Sequence, residues 1–561
     1  MAVEAYADWR ANEVDGKKHG GVKAALFLYV LVVLRSSPNS ANFSLVAYLY
    51  RTLHLGIVDS STVITLLVGA VSISVALMNF VSATYIKCAT SLFLFGPLVV
   101  LGYCLLALQA HLPSLHPPFC YIDREPNSCK AVKGWSLALL YLSLLIFALG
   151  EGCMRACITS LCASQFSSDD PNGLVFKRRS LTLHKLSNSL GAILGLIFIV
   201  WIQNNLGWSI GFLVCALVVL VGLLVAASGL PLYCIEEPTG SPLTRILQVV
   251  VAALKKRHSV IHDGVALEEI GEAVCMDRQG NLHTQRKGFL DKASIYAGDT
   301  SPWSFCSTTQ VDETKAVLQM LPIFLSCLLV FLPFTLLMTL TIQVGRTMDR
   351  RIGAVQISSA SLIAIPTAFH MLLQPVYRRV ITPVLRRMTG HEHGFSPLLR
   401  IGAGSICGVV AACVAAMVES KRREAAENYN PRRAGADVPI SVFWLVMQFF
   451  LLSIMDLASF NGLFEFIKRE APAGMKPIAA PIQSGLIGLS TWLACIFIRL
   501  VNVATRYNND GRGWLDGSDF NRTNLDRFFL LLAAFQFIAL TNYCFWARKY
   551  VSKPTRCDVR A

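Results

Sequence analysis

Apolar runs long enough to cross a lipid bilayer recur along the whole chain of 561 residues. A helix needs about 20 consecutive apolar residues to span roughly 30 Å of hydrocarbon. A membrane-spanning β-barrel would instead show short strands that alternate apolar and polar side chains. The composition agrees with helices, since 54% of the residues are hydrophobic and only 15% are charged. The sequence therefore predicts an all-helical, polytopic membrane protein.

The apolar runs form two groups of six, separated by one long polar segment. In chain order they cover residues 24–50, 60–86, 89–110, 135–162, 180–203 and 208–232, then 316–342, 360–377, 398–418, 440–466, 475–501 and 525–546. About twelve spans place both chain ends and the polar segment on the same side of the membrane. The predicted parts are a leader at 1–23, six-helix bundles at 24–232 and 316–546, a linker at 233–315 and a tail at 547–561.

Charge predicts which side of the membrane these parts occupy. The formal net charge is +15, and basic clusters such as Lys177–Arg179 and Leu254–Arg257 lie in connections on the side of the chain ends. An excess of Lys and Arg marks the cytosolic side, although the cluster Lys421–Arg423 opposes this bias. We expect cytosolic leader, linker and tail, no cleaved signal peptide, and the plasma membrane rather than the vacuolar membrane. The bilayer, and not nucleic acid, accounts for the basic charge.

Cysteine usage indicates one candidate disulfide and no metal site. Most of the 17 cysteines stand singly within apolar runs, where they are typical small packing residues. Cys120 and Cys129 instead share a polar loop predicted to lie outside the cytosol, and they form either a disulfide or two unpaired thiols. The sequence contains no CxxC pair and none of the phosphate-cradling, HExxH or GxSxG motifs. We therefore expect neither an enzyme nor a bound cofactor.

Arg35 lies near the middle of the first apolar run. Estimates of the cost of arginine at the centre of a membrane helix range from about 2.5 kcal/mol to well above 10. The side chain must therefore face a protein interior or a wet cavity, with an acidic partner on another span.

Several loop and span segments together carry a family resemblance. They are SPLTRILQVVVAALKKR, FLDKASI, PWSFCSTTQVDETK, TMDRRIG, WIQNNLGW and NLDRFFLLLA. Taken in order over nearly the full chain, they resemble the plant nitrate and peptide transporter family, part of the proton-dependent oligopeptide transporters. The resemblance implies a major facilitator fold, in which two six-helix halves rock around a central site.

The first span departs from the family at the residues that couple transport to protons. Family members carry an ExxER pattern there, and the corresponding stretch is Leu31-Val32-Val33-Leu34-Arg35. Leucine cannot bind a proton, so only the arginine of the pattern is kept. The usual coupling step is therefore not expected at these positions.

The fourth span supplies a carboxylate close to where two were lost. Arg155 stands at the family's basic position, and Glu151 lies four residues earlier, on the same helical face. We expect Glu151 to pair with Arg155, with Arg35 or with both. It either inherits a proton-binding role or forms a static ion pair.

Two residues of the second half complete the candidate cavity. Asp456 aligns with an acidic residue that helps to bind substrate in the family; the alternative is that Asp456 forms an ion pair that packs helices together. Phe334 occupies the position where nitrate-transporting relatives can place a histidine. With Arg35, Glu151 and Arg155 these residues would line a cavity able to hold both ends of a zwitterion.

The resemblance implies a solute transporter that works by alternating access. The expected substrate is a small organic or amphoteric solute, such as a peptide, an amino-acid derivative or a hormone-like molecule, or else nitrate. Protons enter through Glu151 or Asp456, or the protein acts as a facilitator or exchanger. The competing interpretation is a non-transporting sensor or assembly partner, since the usual coupling acids are missing.

Overall fold

A computed structural model describes most of the chain. The described residues are 6–7, 20–118, 131–166, 173–236, 242–257, 289–294, 301, 303–352, 355–356, 359–389, 396–429, 438–507, 513–515 and 523–550. Cys120 and Cys129, the candidate disulfide partners, lie outside these residues.

Eleven helical segments within the described ranges are long and apolar enough to cross a membrane. Their bounds are Gly21–Arg51, Val58–Thr84, Cys88–His111, Trp135–Ser164, Arg179–Asn205, Trp208–Ser228, Thr308–Arg346, Pro397–Asn428, Val442–Glu470, Ala479–Tyr507 and Leu525–Lys549. We call them the first to seventh and the ninth to twelfth spans, following the twelve apolar runs of the sequence.

The eighth apolar run, predicted at 360–377, is helical but does not meet the same criteria of length and composition. Its α-helix Ala364–Val376 contains 13 residues. It follows a 3₁₀ turn at Ser359–Ile363 and continues through a π-helical turn at Tyr377–Ile381 into the helix Thr382–Thr389. Arg378 and Arg379 in the π turn interrupt the apolar sequence, which explains why eleven segments rather than twelve qualify. We call this the eighth segment.

π-helical turns also interrupt the fifth and tenth spans, at Gly195–Ile199 and Asp456–Phe460. The tenth span therefore consists of the helix Val446–Met455, the π turn and the helix Asn461–Glu470. A π turn inserts one extra residue into a helix and is frequent at functional sites. One candidate site residue, Asp456, is the first residue of such a turn.

Between the halves, the described part of the linker contains the amphipathic helix Pro242–Lys255 and a 3₁₀ turn at Phe289–Ser294. Among the described residues, strand pairing is limited to pieces of two and four residues. Tyr6–Ala7 pairs antiparallel with Ile235–Glu236, Met348–Asp349 pairs parallel with Val438–Ser441, and Arg351–Ile352 pairs antiparallel with Val355–Gln356. The described fold is thus helical, with short ribbons at the helix ends. The five-part division of the chain stays a prediction.

Most of the buried apolar side chains separate into a core for the first half and two for the second. Spans one to six contribute nearly all of the first core, in which Leu31, Phe147 and Val219 are buried. The second half contains two cores. One surrounds Leu337 and Phe449, and the other is formed by a separate set of buried side chains on the same spans. Each half therefore has apolar cores largely of its own, and contacts between particular spans join the two halves.

The second and eleventh spans form a close contact between the halves. Gly69 lies against Trp492, and a Cβ atom placed on Gly69 would come within 2.4 Å of Trp492 Cδ1. Trp492 Nε1 donates a hydrogen bond to the carbonyl oxygen of Leu66 over 3.3 Å. A side chain at position 69 would separate the spans, so glycine is required for this approach.

Further contacts join the halves at the ends predicted to face away from the cytosol. Ser361 Oγ donates to the carbonyl oxygen of Leu196 over 3.2 Å. The guanidinium carbon of Arg346, at the end of the seventh span, lies 4.0 Å from the ring centroid of Tyr50. Tyr50 belongs to the first half but is buried among the core residues of the second. We call the Tyr50–Arg346 contact the clasp.

Candidate functional site

Glu151 lies between two arginine side chains in the interior of the first half. Arg35 Nη1 donates to Glu151 Oε1, and Arg155 Nε donates to the same oxygen over 2.8 Å. The Glu151 side chain is 1% exposed and that of Arg35 is 5% exposed. The expected pairing of Glu151 with both arginines is therefore present. We call these three residues the charge triad.

The helix of the fourth span places Glu151 in this position. Trp135–Ser164 is a continuous helix, so residues four apart share a face and the Glu151 and Arg155 side chains meet. Gly152 follows Glu151, and a Cβ atom there would lie 2.4 Å from the Cβ atom of Ser74 in the second span. The small residue allows the two helices to approach closely, which excludes water from the carboxylate.

Arg35 has further polar partners, which sequence reasoning missed. Its Nη2 donates to Asn188 Oδ1 over 2.9 Å and to Ser36 Oγ over 3.3 Å, and Ser36 Oγ also donates to Asn188 Oδ1 over 2.7 Å. Asn188 belongs to the fifth span, so Arg35 links three helices of one half. The available sequence signal was an amide side chain within an apolar run, and such amides are common without a role of this kind.

The two leucines at the coupling positions are packed residues. Leu31 is fully buried, and a Cβ atom on Gly222 of the sixth span would lie 3.1 Å from Leu31 Cδ1 and 3.2 Å from Leu34 Cβ. An ionised carboxylate at position 31 would be desolvated in this apolar contact. Leu31 and Leu34 thus pack the first span tightly on the sixth.

The charge of the triad is unbalanced. Two guanidinium groups share one carboxylate, which leaves one positive charge in excess when all three groups are ionised. Arg155 is the accessible member, because its side chain is 37% exposed. It uses Nε for Glu151, so its two terminal nitrogens can donate to an anionic ligand.

Asp456 is paired with a histidine of the eighth segment. Its Oδ2 lies 3.0 Å from His370 Nδ1, and the two side chains are 38% and 30% exposed. The π turn that begins at Asp456 also leaves carbonyl groups open to other helices, since Leu457 O accepts from Arg400 Nη2 over 2.9 Å. The acidic residue of the second half therefore pairs with the eighth segment and not with an arginine of the triad.

Phe334 lies beside the turn that carries Asp456. Its ring meets that of Phe460 edge to face, with centroids 5.1 Å apart, and Phe331 lies on Phe460 at 4.5 Å. Phe460 is the last residue of the π turn. Phe334 thus packs on the last residue of the π turn that begins at Asp456, and its side chain provides no donor for an anion.

His370 and Lys185 are the functional candidates that sequence reasoning left out. Lys185 of the fifth span is near enough to Asp456 and His370 to interact electrostatically with both. In the sequence, His370 could have been noticed because no other titratable residue occurs between 360 and 376. A lone histidine in an apolar run carries little information without its neighbour, and Asp456 is 86 residues away, which only the fold reveals.

Membrane-length helices in two packed groups, with ionisable groups buried at membrane depth, define a multi-pass membrane protein of transporter architecture. The chain belongs to the POT family, whose model matches residues 89–515. Protein NRT1/PTR FAMILY 4.4 of Arabidopsis thaliana is 32% identical over 98% of this chain and 91% of its own length. Protein NRT1/PTR FAMILY 4.3 of the same plant is 30% identical over 99% and 94%. The predicted family is confirmed.

Solved structures agree on the fold. The POT family transporter PepTSo superposes with a TM-score of 0.68 at 15% identity, over 94% of this chain and 98% of that chain. A POT family transporter in complex with 5-aminolevulinic acid gives a TM-score of 0.62 at 12% identity, over 96% and 99%. The predicted all-helical fold of the major facilitator type is confirmed. Membership in a family of transporters also fits the expectation that the chain is not an enzyme.

Proposed function

We propose that this protein carries a small amphoteric organic solute across the membrane by alternating access. Arg155 would bind the acidic group of the solute, and Asp456 would bind its amine. The observation that carries this proposal is the opposite charge of two partly exposed side chains, Arg155 on the fourth span and Asp456 on the tenth, which belong to different halves.

The fixed part of this site is the Arg35–Glu151 pair. Removing the charge of Glu151 by protonation would leave two neighbouring guanidinium groups without a counter-charge, which is costly in a buried setting. We therefore assign Glu151 a positioning role. It holds Arg155 in place, while the usual first-span proton carriers are replaced by Leu31 and Leu34.

An amphoteric solute accounts for both charges of the site, whereas nitrate uses only one. Nitrate would bind the excess positive charge at Arg155 but would leave Asp456 without a role, and Phe334 offers it no imidazole. One structural neighbour was solved with 5-aminolevulinic acid and another with alafosfalin. Both ligands combine an amine with an acidic group, which supports solutes of this class for the present chain.

The test is uptake of a panel of solutes into oocytes that express the full chain. The panel contains 5-aminolevulinic acid, a neutral dipeptide and nitrate, each measured near pH 5.5 and near pH 7. We expect uptake of at least one amphoteric solute and little uptake of nitrate. Absence of flux for every solute, with protein present at the cell surface, would instead favour the sensor or assembly partner.

The cellular setting belongs to the same proposal. The basic clusters support cytosolic termini, and we place the protein in the plasma membrane. Epitope tags at each end, probed with antibody before and after permeabilisation, test the orientation. Staining of intact cells by either tag would contradict it, and a vacuolar signal from a fluorescent fusion would contradict the location.

A further inference from the structure

The pair formed by His370 and Asp456 joins the eighth segment to the tenth span at the acidic end of the proposed site. We propose that His370 is a proton-binding residue of the transport cycle, and that its proton competes with the amine of the solute for Asp456. The inference rests on the proposed function. It adds which residue binds the proton, and that proton binding opposes solute binding.

Geometry makes His370 the group that can respond to pH. Its Nδ1 lies 3.0 Å from Asp456 Oδ2, and both side chains are partly exposed. The triad carboxylate of Glu151 is buried between two cations and has no comparable access to water. Histidine is also the side chain whose ordinary titration falls between about pH 5 and 8.

The charged surroundings of His370 come from a few elements. The fifth span contributes Lys185 and, one residue earlier, His184, and the tenth span contributes Asp456. The following π turn of its own segment adds Tyr377, Arg378 and Arg379. The other helical elements packed against it, Ser359–Ile363 and Val446–Met455, contain no titratable side chain. Asp456 is thus the one acidic group that faces His370 among the described residues.

Protonation changes what Asp456 can bind. With a proton on the imidazole, His370 and Asp456 form an ion pair of zero net charge, and the carboxylate has its counter-ion. When the proton leaves to water, the pair carries one negative charge, and Asp456 can accept a cationic amine. Lys185 adds a fixed positive charge nearby and opposes retention of the proton. Solute and proton therefore bind in alternation.

The sign of this coupling is opposite to that of a symporter, in which proton and solute bind together. Because coupling between two ligands is reciprocal, a proton that weakens solute binding is itself released by the solute to the same degree. The protein would then exchange an amine-bearing solute for a proton. Acid on the side of solute entry would slow uptake by raising KM.

The first experiment measures counterflow of 5-aminolevulinic acid in proteoliposomes of the full chain, without a pH gradient. Between about pH 7 and pH 5.5 we expect KM to rise about fivefold in the unmodified protein, within the usual range of coupling between sites. His370→Gln should remove this dependence on pH. His184→Gln is the matched control and should keep it. A KM that falls in acid, or an equal pH dependence in His370→Gln, would overturn the proposal.

A second measurement does not need transport. Diethylpyrocarbonate modifies a histidine side chain only in its neutral form, so the pH profile of modification at His370 reports its proton. Peptide mass spectrometry on the purified full chain resolves this site from other modified residues. We expect the profile to shift by about half a pH unit or more in Asp456→Asn. Superimposable profiles would overturn the pairing. A shift with no flux for any solute would instead leave the pair intact and refute the proposed transport.

Discussion

Glu151 Oε1 accepts a hydrogen bond from Arg155 Nε over 2.8 Å while it also accepts one from Arg35. One oxygen atom of the fourth span thus fixes two guanidinium groups, one buried and one accessible. The arginine in the middle of the first span is tolerated because this carboxylate, together with Asn188 and Ser36, accepts hydrogen bonds from both terminal nitrogens of its guanidinium group. The accessible arginine is then held at a fixed position, as the proposed binding of the acidic group of the solute requires.

Removing the shared carboxylate should lower both stability and transport. In Glu151→Gln, two cations lose their counter-charge, and breaking a buried pair costs about 3–5 kcal/mol. We expect a lower midpoint of thermal unfolding in detergent and at least a tenfold loss of uptake. Thiol-reactive dye fluorescence and oocyte uptake provide the two readouts.

A second buried pair serves as the control for that variant. Glu419 and Arg422 lie in the ninth span with side chains 1% and 0% exposed, and Arg422 Nη2 donates to Glu419 Oε1 over 2.7 Å. Glu419→Gln should lower the unfolding midpoint similarly, yet the surviving protein should keep the KM of the unmodified chain. An equal change of KM in both variants would show that Glu151 acts only through stability.

The close approach of the second and fourth spans predicts a cost for the smallest possible substitution. Gly152→Ala adds a Cβ atom at 2.4 Å from that of Ser74, and overpacking of this kind costs about 1–3 kcal/mol. We expect a lower midpoint of thermal unfolding and a less fixed position of the Glu151 side chain. Gly402→Ala is the control, because its nearest neighbour, Tyr543, would lie 3.8 Å from the new atom. Equal midpoints for the two variants would contradict the packing argument.

The clasp predicts that the end proposed to face away from the cytosol is held closed by an aromatic contact. Tyr50→Phe keeps the ring under the Arg346 guanidinium, whereas Tyr50→Leu removes it, and such contacts contribute about 0.5–2 kcal/mol. A cysteine at Ser361 should react faster with a membrane-impermeant maleimide in Tyr50→Leu than in Tyr50→Phe. Identical labelling rates would mean that the clasp does not control access.

Sequence alone was sufficient for the fold and for half of the site. Run length and composition predict membrane helices because the bilayer imposes one length on every span, and the spacing of Glu151 and Arg155 predicts their contact within one helix. The pairing of Asp456 with His370, in contrast, could not be predicted from local spacing. It depends on how the eighth segment packs on a π turn of the tenth span, and neither the turn nor the packing has a local sequence signal.

The eighth segment illustrates the same limit. Its apolar residues predict a span at 360–377, but the helix there continues to Thr389 through Arg378 and Arg379. Likewise, Leu31 and Leu34 could be read as lost carboxylates, while their tight contact with Gly222 required the packing of the first and sixth spans. Long-range contacts of this type are set by the fold as a whole.

The central claim is that Arg155 and Asp456 bind opposite ends of one solute. The most direct measurement is uptake of 5-aminolevulinic acid into proteoliposomes by the unmodified chain, Arg155→Gln and Asp456→Asn, with equal amounts of folded protein. Each lost contact to a charged group is worth about 1.5–3 kcal/mol, so we expect about a tenfold or larger rise of KM in each variant. Saturable uptake with the same KM in all three proteins would contradict the claim.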